Sequence, residues 1–224
     1  MKHLKGFKIF EAVIKAQDFT EAFEELNSIK NITLEDLERI FKPLDVEFVD
    51  VDYFKSKLQT KKEIELVPVN MPHIKPGLRF AAHNIYTNKM YVCIEADLFL
   101  KTLNSPSVYT SRTEILDLLE EILRHESIHK QQGEKRPNVT LRNLENSPLK
   151  PKEYFSSTDE IMAYADSFIT QCRKRGMSNE KIKDILVSGK TVSWIQGVYS
   201  KFTTPQSQKR FKKYVYQYLE DENN

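Results

Sequence analysis

The segment that most constrains this chain is Arg112 to Gln132, RTEILDLLEEILRHESIHKQQ. Its local signals all point to one helix. Ser111 followed three residues later by Glu114 is a capping-box signature, and Ile115, Leu118, Leu119 and Ile122 recur at helical spacing. Steps of three and seven residues from Ile122 land on His125 and His129, so both imidazoles are expected on the buried side of the helix. Gly133 is expected to stop it.

The end of that helix reads His125-Glu126-Ser127-Ile128-His129, an H-E-x-x-H sequence. On a helix, residues four apart stand one turn above each other on one face, so two imidazoles so placed can grip a single metal ion. Glu126 points to the side, where it can reach a water without itself ligating the metal. The plain alternative, two histidines that are only satisfied core or boundary residues, is disfavoured by the helical context.

A catalytic zinc needs a third protein ligand and an open fourth position. A metzincin would continue with glycine at Gln132 and histidine at Lys135, so that class is excluded. The remaining candidates are His83, Glu134, Glu153, Asp159 and Glu160. Glu160 is preferred, because Ser156 to Ala165 opens a second helix whose core stripe is Ile161, Ala165, Phe168 and Cys172, with Glu160 at its border. Small residues at Ala163 and Ala165 allow close approach of another helix. Ser157-x-x-Glu160 is also a capping box, which competes for the same carboxylate.

Glu160-Ile161-Met162-Ala163 resembles the E-x-x-A pattern on the glutamate helix of small gluzincin metallopeptidases, including helix-turn-helix-associated and phage-encoded kinds. The resemblance covers two helices, about a fifth of the chain. It implies a zincin-like fold, with zinc held by His125, His129 and Glu160. In thermolysin-like enzymes an aspartate four residues after the ligand glutamate orients a zinc histidine, and that position here is Tyr164, so orientation has to come from elsewhere. The chemistry expected is peptide hydrolysis by a zinc-activated water with Glu126 as general base. Tyr154, Tyr164 and His83 are the candidates for stabilising the oxyanion.

The rest of the chain sets limits. With 224 residues, 40% of them hydrophobic, it has enough material for one good-sized core or two small ones, and a single domain is the default. A net charge of +2 advertises neither nucleic acid nor membrane. Two cysteines far apart in sequence exclude a disulfide framework and point to a reducing compartment. Near the N-terminus, Phe7, Ile9, Phe10, Val13 and Ile14 are interrupted by Lys8, Glu11 and Lys15, so no signal-peptide core is expected and the protein is expected to be cytoplasmic. The expected partner is a protein or peptide substrate, with neither membrane nor nucleic acid.

Two rival readings stay in view: a zinc hydrolase of a non-peptide substrate, and a metal-stabilised nucleic-acid or protein-binding module without catalysis. The second draws on Arg173-Lys174-Arg175 and on Lys209 to Tyr214, where bases and aromatics mix. However, Phe211, Val215, Tyr218 and Leu219 form an apolar helical face, which assigns the lysines to its solvated side.

The expected fold is α+β: a small β-sheet with a hairpin packed on the H-E-x-x-H helix, a helical N-terminal region over 1–62, and a zincin-like domain over 63–224 with a mainly helical C-terminal half. In the first region Phe7 to Ile14, Ala22 to Leu26, and Leu34 to Phe41 capped by Thr33 read as helices, and Val46, Phe48 and Val51 as a short strand. These helices either pack on the catalytic part or form an accessory module. Glu65 to Val69 reads as extended. Leu78 to Tyr86 and Met90 to Glu95 read as a hairpin through Thr87-Asn88-Lys89, with an edge able to hold an extended peptide. The polar, proline-containing stretch after Gly133, to Ser157, reads as a flap. Helices follow over 158–175, 178–186, 192–201 and 206–220.

Overall fold

The computed structural model describes residues 16–51, 77–84, 87–105, 111–135, 157–188, 202 and 204–221. The expected helices over 7–14 and 192–201, the extended run 65–69 and most of the flap lie outside the described residues. Those residues form an α+β structure, mostly helical, with seven α-helices and a three-stranded mixed sheet. Residues 16–135 belong to one compact unit and 157–221 to a second.

The first unit begins with α1 (Thr20–Ser28) and α2 (Leu34–Phe41). Thr33 caps α2 as its sequence implies, with Asp36 returning the bond to complete a capping box. A 3-10 turn (Lys42–Leu44) leads to strand β1 (Val46–Asp50), and β2 (Leu78–Asn84) and β3 (Lys89–Ile94) form the hairpin. Its turn holds Asn88 at φ 57°, a left-handed conformation that asparagine tolerates well.

In the sheet β3 lies in the centre, parallel to β1 and antiparallel to β2. Burial follows from that position: Met90, Val92 and Ile94 face the main core, while Tyr91 and Cys93 are buried on the opposite face. An irregularity between Leu78 and Phe80 makes Arg79 an extra residue, and Arg79 pairs with Glu95.

Helix α3 (Ala96–Asn104) follows the hairpin and has no counterpart in the sequence reading. Its buried residues are Phe99 and Leu103, one turn apart and too few to announce a helix by periodicity. Gly77 is required here. Its φ is 80°, and a Cβ would stand 2.2 Å from the Phe99 backbone nitrogen.

Helix α4 (Arg112–Lys135) carries the H-E-x-x-H sequence. The capping box at its start is present, with Ser111 and Glu114 exchanging bonds of 3.1 Å. Its Ile115, Leu116, Leu119 and Leu123 share one core with Phe19, Phe23, Leu26, Leu37, Phe41 and the core face of the sheet. The N-terminal helices α1 and α2 therefore pack on the H-E-x-x-H helix through a common core.

In the second unit α5 (Thr158–Lys174) is buried on most of its circumference, including the expected stripe Ile161, Ala165, Phe168 and Cys172. Ser178 caps α6 (Asn179–Ser188) through the Lys181 N–H. α7 (Pro205–Asp221) packs on α5, Phe211 meeting Phe168 with ring centroids 5.5 Å apart. Phe211, Val215, Tyr218 and Leu219 are buried while Lys209, Arg210 and Lys213 are exposed, as the amphipathic spacing implies. No helix among the described residues is long and apolar enough to cross a membrane.

Candidate metal centre

Three anchors hold α4 in place along its length. At its start, Arg112 donates to the Leu26 and Ile29 carbonyls at the end of α1, at 2.7 and 2.6 Å. Mid-way, the Ser127 hydroxyl accepts from the Gln17 backbone N–H at 2.9 Å. One turn on, the buried Lys130 ammonium reaches Asp45 Oδ2 at 2.6 Å, and the Asp45 carbonyl accepts from Met90 N–H in the central strand. A buried cation paired in this way ties the helix to the sheet.

His125 and His129 lie on one face as the spacing requires, but they are half-buried rather than core. They continue the line of the partly buried Leu118 and Ile122 along the flank of the core face. The fully buried line of the helix runs beside them, through Leu116, Leu119 and Leu123. Gly133 does not stop the helix, which runs on to Lys135.

The two Nε2 atoms face each other at 3.2 Å, with the rings inclined at 76°. Two nitrogens bound to one tetrahedral zinc at about 2.0–2.1 Å stand roughly 3.3–3.4 Å apart, close to the spacing of this pair. The same spacing also suits a single N–H···N bond. His129 is oriented by Gln132, whose Oε1 accepts from its Nδ1 at 3.0 Å, leaving the Nε2 lone pair facing His125. Gln132 is buried and was not singled out in the sequence. Its position three residues after His129 on the same helix is the signal that could have found it.

Glu126 is half-buried, and its Oε2 accepts from the His83 backbone N–H in β2 at 3.0 Å. The general-base candidate is thus held against the edge of the hairpin strand. The His83 side chain does not join the histidine pair. Its Nε2 bonds Asn88 Oδ1 at 3.1 Å, and burial pushes its pKa down to about 4. Glu134, on the last turn of α4, is exposed and accepts from Asn88 Nδ2.

The shifted His83 gives a pH signature. Its folded pKa lies below the unfolded value of 6.5, so below that pH the unfolded chain takes up a proton that the folded one refuses. The associated stability is complete above pH 6.5 and is lost towards pH 4, on the order of 1–3 kcal/mol. Urea unfolding at pH 7 and pH 4.5 should show a smaller pH-dependent loss in His83→Gln than in wild type.

In the second unit Glu160 is buried in the first turn of α5. The Ser157 hydroxyl accepts from its backbone N–H at 3.2 Å, a cap made through the main chain of Glu160. Asp159 beside it is half-buried. The Tyr164 ring packs edge-on against Phe202, with centroids 5.9 Å apart. Glu153 and Tyr154 lie outside the described residues.

No protein-family model, curated protein or solved structure matches this chain. The functional reading therefore rests on the residues themselves. His125 and His129 in the first unit offer two imidazole nitrogens and Glu160 in the second a carboxylate oxygen, each a donor type that zinc takes.

Proposed function

We propose that this chain is a zinc-dependent metallopeptidase of zincin-like fold, in which His125, His129 and Glu160 hold the ion and Glu126 is the general base. The observation that carries the reading is the facing pair of Nε2 atoms 3.2 Å apart, on the helix whose Glu126 carboxylate is held by the His83 main-chain N–H.

Two neutral imidazoles and one carboxylate leave a divalent ion with net positive charge, and a zinc ion in such a donor set supplies Lewis acidity toward a carbonyl and a water. The protein's own groups supply the rest. Gln132 keeps the His129 lone pair aimed at the ligand position, a role that outer hydrogen bonds commonly serve in metal sites. Glu126 takes a proton from the attacking water and returns it to the leaving amine. Tyr164, Tyr154 and His83 are the candidate donors to the oxyanion. Peptide is favoured as substrate by the hairpin strand β2, which lies beside Glu126 and can pair with an extended chain. Two buried cysteines with no disulfide between them support a cytoplasmic site of action.

Metal analysis of the purified protein tests the reading, and about one zinc per chain is expected. A metal-free protein that takes up none from a buffered zinc solution would overturn it. The role of Glu160 is tested beside Ser157. Glu160→Gln is expected to weaken zinc by at least about tenfold. Ser157→Ala removes only the cap, costing about 1 kcal/mol of stability and leaving zinc affinity unchanged. Wild-type affinity in Glu160→Gln would move the third ligand to Asp159, Glu153, Glu134 or His83.

A further inference from the structure

The bond from His83 N–H to Glu126 Oε2 raises the question of what holds His83 itself, since β2 belongs to a hairpin and the base belongs to a helix. The side chains answer it. His83 Nε2 bonds Asn88 Oδ1 at 3.1 Å, and Asn88 Nδ2 donates to Glu134 Oε1 at 2.7 Å. A carboxylate only accepts, so the Asn88 amide must turn its nitrogen to Glu134 and its oxygen to His83, which requires the proton on His83 Nε2. The three side chains form one directed chain from the hairpin turn to the last turn of α4. The His83 ring also lies over Gly133, where an added Cβ would meet its Cε1 at 3.5 Å.

The helix thus touches the same strand residue twice, once through Glu126 at the main chain and once through Glu134 by way of Asn88 and the imidazole. Two attachments about two turns apart on α4 fix the height of His83 N–H along the helix, and with it the carboxylate that accepts from it.

We propose that Asn88 and Glu134 are positioning residues for Glu126, acting through the His83 imidazole and main-chain N–H. The catalytic meaning of this rests on the general-base reading above, while the linkage itself is a property of the metal-free chain. Neither residue touches the metal ligands in this scheme, so their removal leaves zinc binding unchanged and loosens the base.

The test uses the full-length, metal-free, nitrogen-15-labelled protein, with the His83 backbone amide as probe and the Val92 amide in the central strand as reference. Glu126→Ala should speed hydrogen exchange at His83 by about tenfold, because a charge-assisted acceptor is lost. Asn88→Gly keeps the left-handed turn that φ 57° demands and deletes only the side chain. It should speed exchange at His83 by about threefold, leave Val92 unchanged, and have no further effect once Glu126→Ala is present. Glu134→Ala should match Asn88→Gly, whereas Glu134→Gln, which keeps an acceptor for Asn88, should behave as wild type. A His83 amide insensitive to Glu126→Ala overturns the proposal. So does an Asn88→Gly effect that persists in the Glu126→Ala background, or one that spreads equally to Val92. A separate zinc titration of the wild type tells failure of the metal reading from failure of this linkage.

Discussion

Glu126→Gln is expected to bind zinc as wild type does and to lose hydrolysis of peptide substrates by about 10²–10⁴-fold, the usual contribution of a positioned general base. The amide is nearly isosteric and can still accept from His83 N–H through its oxygen, so the strand contact survives while proton transfer does not. The measurement pairs zinc content by mass spectrometry with cleavage of a diverse peptide mixture. Full activity in a correctly folded Glu126→Gln protein would remove Glu126 from the chemistry. Equal loss of zinc and activity would instead make it a ligand, contrary to the side-on position that its place beside His125 gives it on the helix.

His125→Ala and His129→Ala should each weaken zinc by more than about 100-fold, since loss of a hydrogen bond to a ligand alone costs about 10- to 100-fold. Fold stability of the metal-free protein should change little, because both side chains are half-buried on the flank of the core rather than within it. Competition with a chromophoric chelator gives the affinity, and thermal unfolding with and without zinc gives the linked stability. Gln132→Ala provides a graded comparison: it leaves both ligands but frees the His129 ring, and a loss of about 10- to 100-fold is expected. If all three variants kept wild-type affinity, the 3.2 Å contact would be a histidine–histidine hydrogen bond and no more.

Much of this architecture was legible from local patterns. The capping box at Ser111, the cap at Thr33, the turn at Asn88 and the cap at Ser178 are encoded within a few residues, and each occurs where its sequence places it. The exposed lysines and buried aromatics of α7 follow equally from helical spacing. The miss at α3 has the same origin, since Phe99 and Leu103 alone do not make a periodicity. Gly133 misled for a related reason: a glycine signals a helix end only when the following chain leaves the helix, and here two more helical residues follow.

The sequence by itself determined that His125 and His129 share a face with Glu126 beside them, because spacing on a helix is a matter of 3.6 residues per turn. The tertiary structure alone decided what surrounds them. Glu126 meets a strand residue 43 positions away, and Ser127 meets Gln17 across 110 positions. Lys130 finds Asp45 across 85. Pairings of this kind depend on how the sheet, α1, α2 and α4 close around one core, and a linear pattern carries no record of which distant groups that closure brings within hydrogen-bonding reach.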